Sequence, residues 1–212
     1  GVSGHEVGVD DDDVGVVRGV VGGMSVDRLR GQQAGPMTWD GGRRLLRKLL
    51  GAVDHAHGQD TLHGDLQPHD VMVQAGRRKV LGFGIPRTRE GGPYAAPDEG
   101  EVEVTSDVYS LGVITYRMLS GDLPWEDADP ESVEQRKRFG DPLPLRQRCP
   151  EVKEELAAAV MSALRADPED RPAGVKEPRE ALEQAARPPG AKGPTRPGKG
   201  AARRKMVRRE AD

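Results

Sequence analysis

Apolar residues recur along this chain in two rhythms, and the changes of rhythm mark out its elements. Residues 14–21 are dense in valine, interrupted by glycine and Arg18, and predict a short buried strand. Ahead of it, residues 1–13 are Gly-rich and end in the acidic run Asp10 to Asp13, which predicts a loop. Gly22 and Gly23 end the strand, and Ser25 can cap a short helix reaching Arg30. Thr38 predicts the N-cap of a longer helix that runs to about His57. Leu45, Leu46, Leu49, Leu50 and Val53 fall on one face of it, and Gly58 supplies its stop.

Past Thr61 the period shortens. Val71-Met72-Val73 and Lys79-Val80-Leu81 read as two strands, and Gly76 between them suits a hairpin turn. A Gly/Pro-rich loop follows to about Gly100. Residues 106–119 then form the strongest helical pattern, with Val108, Leu111, Ile114, Thr115 and Met118 as its stripe, Ser106 as its cap and Gly121 as its end. Asp129-Pro130-Glu131 starts another helix, residues 150–165 an Ala/Leu-rich one, and residues 178–186 a weak last one. This order is α+β and mainly helical. It lacks the strand–helix alternation of a doubly wound parallel sheet.

Composition narrows the reading. The 212 residues allow one domain with a tail, or at most two small domains; 35% hydrophobic and 3% aromatic content leave Leu, Val and Ala to build the core. The net charge of −3 hides an asymmetry, since residues 187–212 carry nine Lys/Arg against Glu210 and Asp212. The tail is therefore +7 and residues 1–186 are −10. An acidic body is a poor nucleic-acid binder. The Pro/Gly-rich basic tail is expected to be disordered, either a linker or a contact to anionic membrane. A single cysteine, Cys149, excludes an internal disulfide and a multi-thiolate metal site. Without a signal peptide or a long apolar run, the expected location is cytoplasmic, including the cytoplasmic part of a longer membrane protein.

Six short segments then appear in a telling order. His63-Gly64-Asp65-Leu66-Gln67-Pro68-His69-Asp70 resembles the protein-kinase catalytic loop, and Gly82-Phe83-Gly84 the Asp-Phe-Gly motif. Pro93-Tyr94-Ala95-Ala96-Pro97-Asp98 resembles the Ala-Pro-Glu end of the activation segment. Ser106-Asp107-Val108-Tyr109-Ser110-Leu111-Gly112-Val113 resembles the central kinase helix, and Leu123-Pro124-Trp125 and Asp167-Pro168-Glu169-Asp170-Arg171-Pro172 the segments after it. Together they resemble the C-terminal lobe of a bacterial serine/threonine kinase over residues 14–186, with residues 16–23 similar to the strand that hinges the two lobes. The N-lobe is expected to be truncated or missing, because no Gly-rich loop precedes that strand and the first lysine is Lys48.

The resemblance assigns roles residue by residue. Asp65 stands where the family keeps its catalytic base, against the plainer role of holding the loop. Gln67 stands at the lysine that touches the γ-phosphate, and an amide brings no charge. Asp70 replaces the metal-binding Asn, a weak substitute for magnesium without help. Gly82 replaces the main metal-binding aspartate and offers no side chain. Gly19, Val20 and Met72 fall at the adenine site, Met72 equally as ordinary core. Gly64 replaces the arginine that pairs with a phosphorylated loop, Gly91 the threonine that contacts the catalytic loop, and Thr88 is the loop's only hydroxyl besides Tyr94. Asp98 should pair with Arg171, and Asp107 should bond the backbone at His63 and Gly64. His55, His57, His63 and His69 cluster in sequence, but a metal needs three converging ligands and the first two lie on different helix faces. The expectation is a pseudokinase that binds ATP and Mg²⁺ weakly or not at all. It would act on a protein partner through surfaces near Trp125 or residues 129–138. The alternative is a fragment of an active kinase.

Overall fold

The computed structural model describes residues 5–9, 14–17, 24–26, 28, 39–74, 77–83, 91–125 and 129–186. Five antiparallel strands lie in one sheet: β1 (His5–Val9), β2 (Val14–Val17), β3 (Met24–Ser25), β4 (Val71–Gln74) and β5 (Arg77–Phe83), in the order β2-β1-β5-β4-β3. The predicted hairpin is β4–β5, with Val71 opposite Val80 and Met72 opposite Lys79. It is the centre of the sheet rather than a lone ribbon, because β1 adds to β5 on one side and β3 to β4 on the other.

Strand β1 corrects the loop predicted for residues 1–13. Val7 pairs with Val16 on one side and Val80 on the other. Residues 5–9 alternate for too short a stretch to declare themselves; they pair with β2 close by and with β5 about seventy residues on. Of the strand predicted at residues 14–21, residues 14–17 are seen; the rest lies outside the described residues, as do the Asp10–Asp13 run, Thr38, Thr88 and the tail.

The helices are α1 (Trp39–His57), α2 (Val104–Ser120), α3 (Pro130–Phe139), α4 (Leu145–Arg148), α5 (Glu154–Ala163) and α6 (Lys176–Ala185). The predicted stripe on α1 is buried throughout. Helix α2 is buried on nearly every side, which its apolar sequence permits. It approaches α5 so closely that a Cβ at Gly112 would lie 2.9 Å from the Ala163 Cβ, so the crossing requires glycine there. Three boundaries differ from prediction. Glu103, not Ser106, is the N-cap of α2; Ser106 sits three residues inside, where its Oγ accepts from the Glu103 N–H at 3.2 Å. Helix α5 starts at Glu154 rather than residue 150, with the short α4 before it, and α6 starts at Lys176. Asp129 caps α3 as predicted, accepting from the Ser132 backbone N–H at 2.9 Å. Ser25 likewise accepts from the Arg28 N–H at 3.3 Å, the cap predicted for the helix after β3.

Candidate active-site region

The loop at residues 61–70 joins α1 to β4, and its shape is dictated from α2. Asp107 lies in the first turn of α2, where the unpaired backbone N–H groups favour a carboxylate. It is fully buried and accepts from the backbone N–H groups of His63 and Gly64, both at 2.8 Å, as expected. A third bond was not foreseen: His57 Nε2, at the last residue of α1, lies 2.8 Å from Asp107 Oδ2. One carboxylate thus ties α1, α2 and the loop together. A histidine ending a helix was the available signal, but nothing in the spacing marks its partner fifty residues on.

His63 is held from the sheet side. Its Nε2 donates to the Leu81 carbonyl at 2.7 Å, which places the proton on that nitrogen. Its ring meets Phe83 edge to face, with centroids 5.0 Å apart. Asp65 is buried and accepts from the Gln67 side-chain amide on both oxygens, at 3.1 Å each. Asp70, also buried, turns back to accept from the Gln67 backbone N–H at 3.0 Å, closing the short 3₁₀ turn Pro68–Asp70. Gly82 is buried on β5 with φ of 89°. Met72, half-buried on β4, lies opposite Ser25 and Lys79; Gly19 and Val20 lie outside the described residues. Asp65, Gln67 and Asp70 are brought together within one turn of chain.

Gly82 supplies no ligand, Asp70 is engaged within its own turn, and no group of three His, Cys, Asp or Glu converges among the described residues. The four clustered histidines do not converge either. His57 and His63 have the partners just given, and the His69 side chain is 58% exposed.

Residues 91–99 are anchored from α2, from α3 and from Arg171 in the segment between α5 and α6. Asp98 meets Arg171 through two bonds of 3.0 and 2.5 Å, as expected, and accepts from Ser106 Oγ at 2.9 Å. The guanidinium also donates to the carbonyls of Arg165, Ala166 and Thr105, and lies 4.8 Å over the Tyr109 ring. All five of its N–H donors are therefore used. Ser110 Oγ donates to the Tyr94 carbonyl at 2.9 Å, and Arg117 donates to the Tyr94 hydroxyl. From α3, Lys137 Nζ donates to the Gly92 carbonyl at 2.8 Å and pairs with Glu134 at 2.7 Å, while Glu134 accepts from the Gly92 N–H at 3.2 Å. Burial pulls the Lys137 ammonium below the usual lysine range, and Glu134 opposes the shift. Neither residue was foreseen, because a Lys and a Glu one turn apart read as a solvated pair. Trp125 corrects another expectation: it is 4% exposed and stacked on Tyr109, so it offers no docking surface.

Comparison with known proteins bears on this geometry directly. The protein kinase domain model matches residues 5–185. The chain belongs to the protein kinase family. Among its curated relatives, the serine/threonine-protein kinase pkn3 of Myxococcus xanthus is 28% identical over 63% of this chain and 29% of its own length. The probable serine/threonine-protein kinase PknB of Lactococcus lactis is 30% identical over 76% of this chain and 28% of its own. This kinase domain thus spans under a third of either relative. Among solved structures, the kinase domain of Mycobacterium tuberculosis PknI shares the fold with a TM-score of 0.64, at 22% identity, over 86% of this chain and 70% of that one. The described part of this kinase domain is the helical lobe with a reduced sheet. No helix among the described residues is long and apolar enough to cross a membrane.

Proposed function

We propose that this kinase domain is a catalytically impaired pseudokinase, acting as a binding or regulatory module for a protein partner. One observation carries the reading: Gly82 occupies the position of the principal metal-binding carboxylate, and no neighbour among the described residues replaces it. Phosphoryl transfer rests on positioning a triphosphate and neutralising its charge. Gln67 adds no charge, and its amide is turned onto Asp65 instead. Serine/threonine kinases as a class use ATP and magnesium; here the residues that would hold them are the ones changed. What the sequence keeps is scaffold: Asp107, Asp98, Arg171 and the His63–Phe83 contact. The acidic body disfavours nucleic acid as the partner, and the proposed compartment is the cytoplasm.

A second reading is a fragment of an active serine/threonine kinase, and the retention of Asp65 in its buried loop favours it. The purified chain with labelled ATP and either Mg²⁺ or Mn²⁺ separates the two. The pseudokinase reading expects no γ-phosphate transfer and no metal-dependent thermal shift with ATP. Transfer that Asp65→Asn abolishes would establish the enzyme instead.

A further inference from the structure

We propose that Glu134 and Lys137 form a clasp that makes helix α3 and residues 91–99 one mechanical unit, so that moving either loosens the other. The clasp holds both polar groups of a single peptide residue. Lys137 Nζ takes the Gly92 carbonyl and Glu134 takes the Gly92 N–H, while the two side chains pair at 2.7 Å. Gly92 has φ of 99°, a conformation that side-chain-bearing residues rarely adopt, so its glycine lets both groups turn toward α3.

Burial makes the pairing obligatory. Lys137 is 2% exposed, and a lysine so placed must keep its partners or leave the interior. Helix α3 has little else to hold it. Its polar sequence Glu131-Ser132-Val133-Glu134-Gln135-Arg136-Lys137-Arg138-Phe139 buries Val133 and Lys137, and Phe139 at its end is 87% exposed. A further tie to the segment among the described residues is Arg138 to Glu99 at 2.6 Å, between side chains 40% and 84% exposed, where an ion pair contributes little. A partner gripping the outer face of α3 therefore acts on residues 91–99 through Gly92, and from there toward Asp98 and Arg171. The inference does not depend on whether the domain transfers phosphate.

Hydrogen exchange on the full chain tests it. Lys137→Met keeps the buried stem and removes the charge. The expected result is amide exchange on the order of tenfold faster or more in both residues 91–99 and α3, with α2 and α5 unchanged. Glu134→Gln should give the same paired pattern, and it carries the test if the first variant does not fold. Arg138→Ala should leave both regions as they were. Acceleration confined to one region, equal acceleration throughout the helices, or none at all would overturn the clasp.

Discussion

The four aspartates around the loop divide into two pairs, and the contrast lies in where their partners come from. Asp107 collects bonds from residues 43 to 50 positions away, and Asp98 from Arg171, 73 away, as well as from Ser106, eight away, so each stitches separate segments together. Asp65 and Asp70 both accept from Gln67, two and three residues away, and Asp70 also lies 3.8 Å from His63 Nε2. A carboxylate satisfied across the fold is part of the fold. One satisfied by its own turn adds shape locally, and it has less charge free for a ligand. The contrast sets residues that build the lobe against residues at the positions that would grip phosphate.

Breaking the long-range pair should have the largest effect. Arg171→Ala leaves Asp98 buried against Ser106 and strips three carbonyls of their donor. The expected loss is about 3–5 kcal/mol in denaturant unfolding; a loss below about 1 kcal/mol would refute the structural role. Next comes Asp107→Asn, which is isosteric but presents an NH₂ to a backbone N–H at one of its two oxygen positions. Unfolding should register roughly 2–3 kcal/mol, with the His57 ring freed. The ring-nitrogen shifts of His57 followed by NMR would show that release.

Restoring charge tests the other side. Gly82→Asp with Gln67→Lys returns the two groups whose absence the proposal rests on, and a φ of 89° is more tolerable for Asp than for most side chains. A magnesium-dependent stabilisation by ATP should then appear, about 2.7 kcal/mol at a hundredfold excess over Kd, or several degrees in Tm. If the double variant stays blind to the metal while the parent chain responds to it, the contrast between the two pairs of acids fails.

Much of this was legible from the residues alone, for a physical reason. The α1 and α2 stripes, the hairpin, the Asp98–Arg171 pair and the two backbone bonds to Asp107 follow from local period or from motifs with fixed geometry. What escaped depended on distant partners. Strand β1 exists because β5 offers it an edge, His57 finds Asp107 only after α1 and α2 pack, and Lys137 turns inward because residues 91–99 lie beneath it. Trp125 read as part of a partner surface, yet Tyr109 covers it. In the site, side-chain identities alone showed what Gly82 and Gln67 lack. That the Gln67 amide sits across Asp65 required the structure.

The buried tyrosines sharpen the contrast at high pH. Burial raises Tyr109 far above its usual 10.0, against the opposing pull of Arg171, and burial raises Tyr116 as well. A phenol raised in the folded state loses its proton first in the unfolded chain. Stability should therefore hold below pH 10.0 and fall above it, by about 1.4 kcal/mol per pH unit for Tyr109, with Tyr116 acting in the same direction. Phenolate absorbance near these pH values should rise together with the loss of helical circular dichroism, and Tyr109→Phe should reduce its amplitude. Absorbance that rises while the helices persist would show that the α2 core is open to solvent.

The smallest effect is the most discriminating. Asp65→Asn changes a buried carboxylate in the same loop as the Asp107 bonds, yet its described partner is an amide that can rotate to offer its own oxygen. If the acid serves only its turn, the expected change in unfolding free energy is below about 1 kcal/mol, well under that of Asp107→Asn. A change as large as the Asp107 variant's would mean that Asp65 also stitches the fold. Its retention would then need no appeal to catalysis, and the active-fragment reading would lose its best support. A small change leaves Asp65 as an acid kept without structural need, which is the result that would send the phosphotransfer assay back to the bench with other substrates.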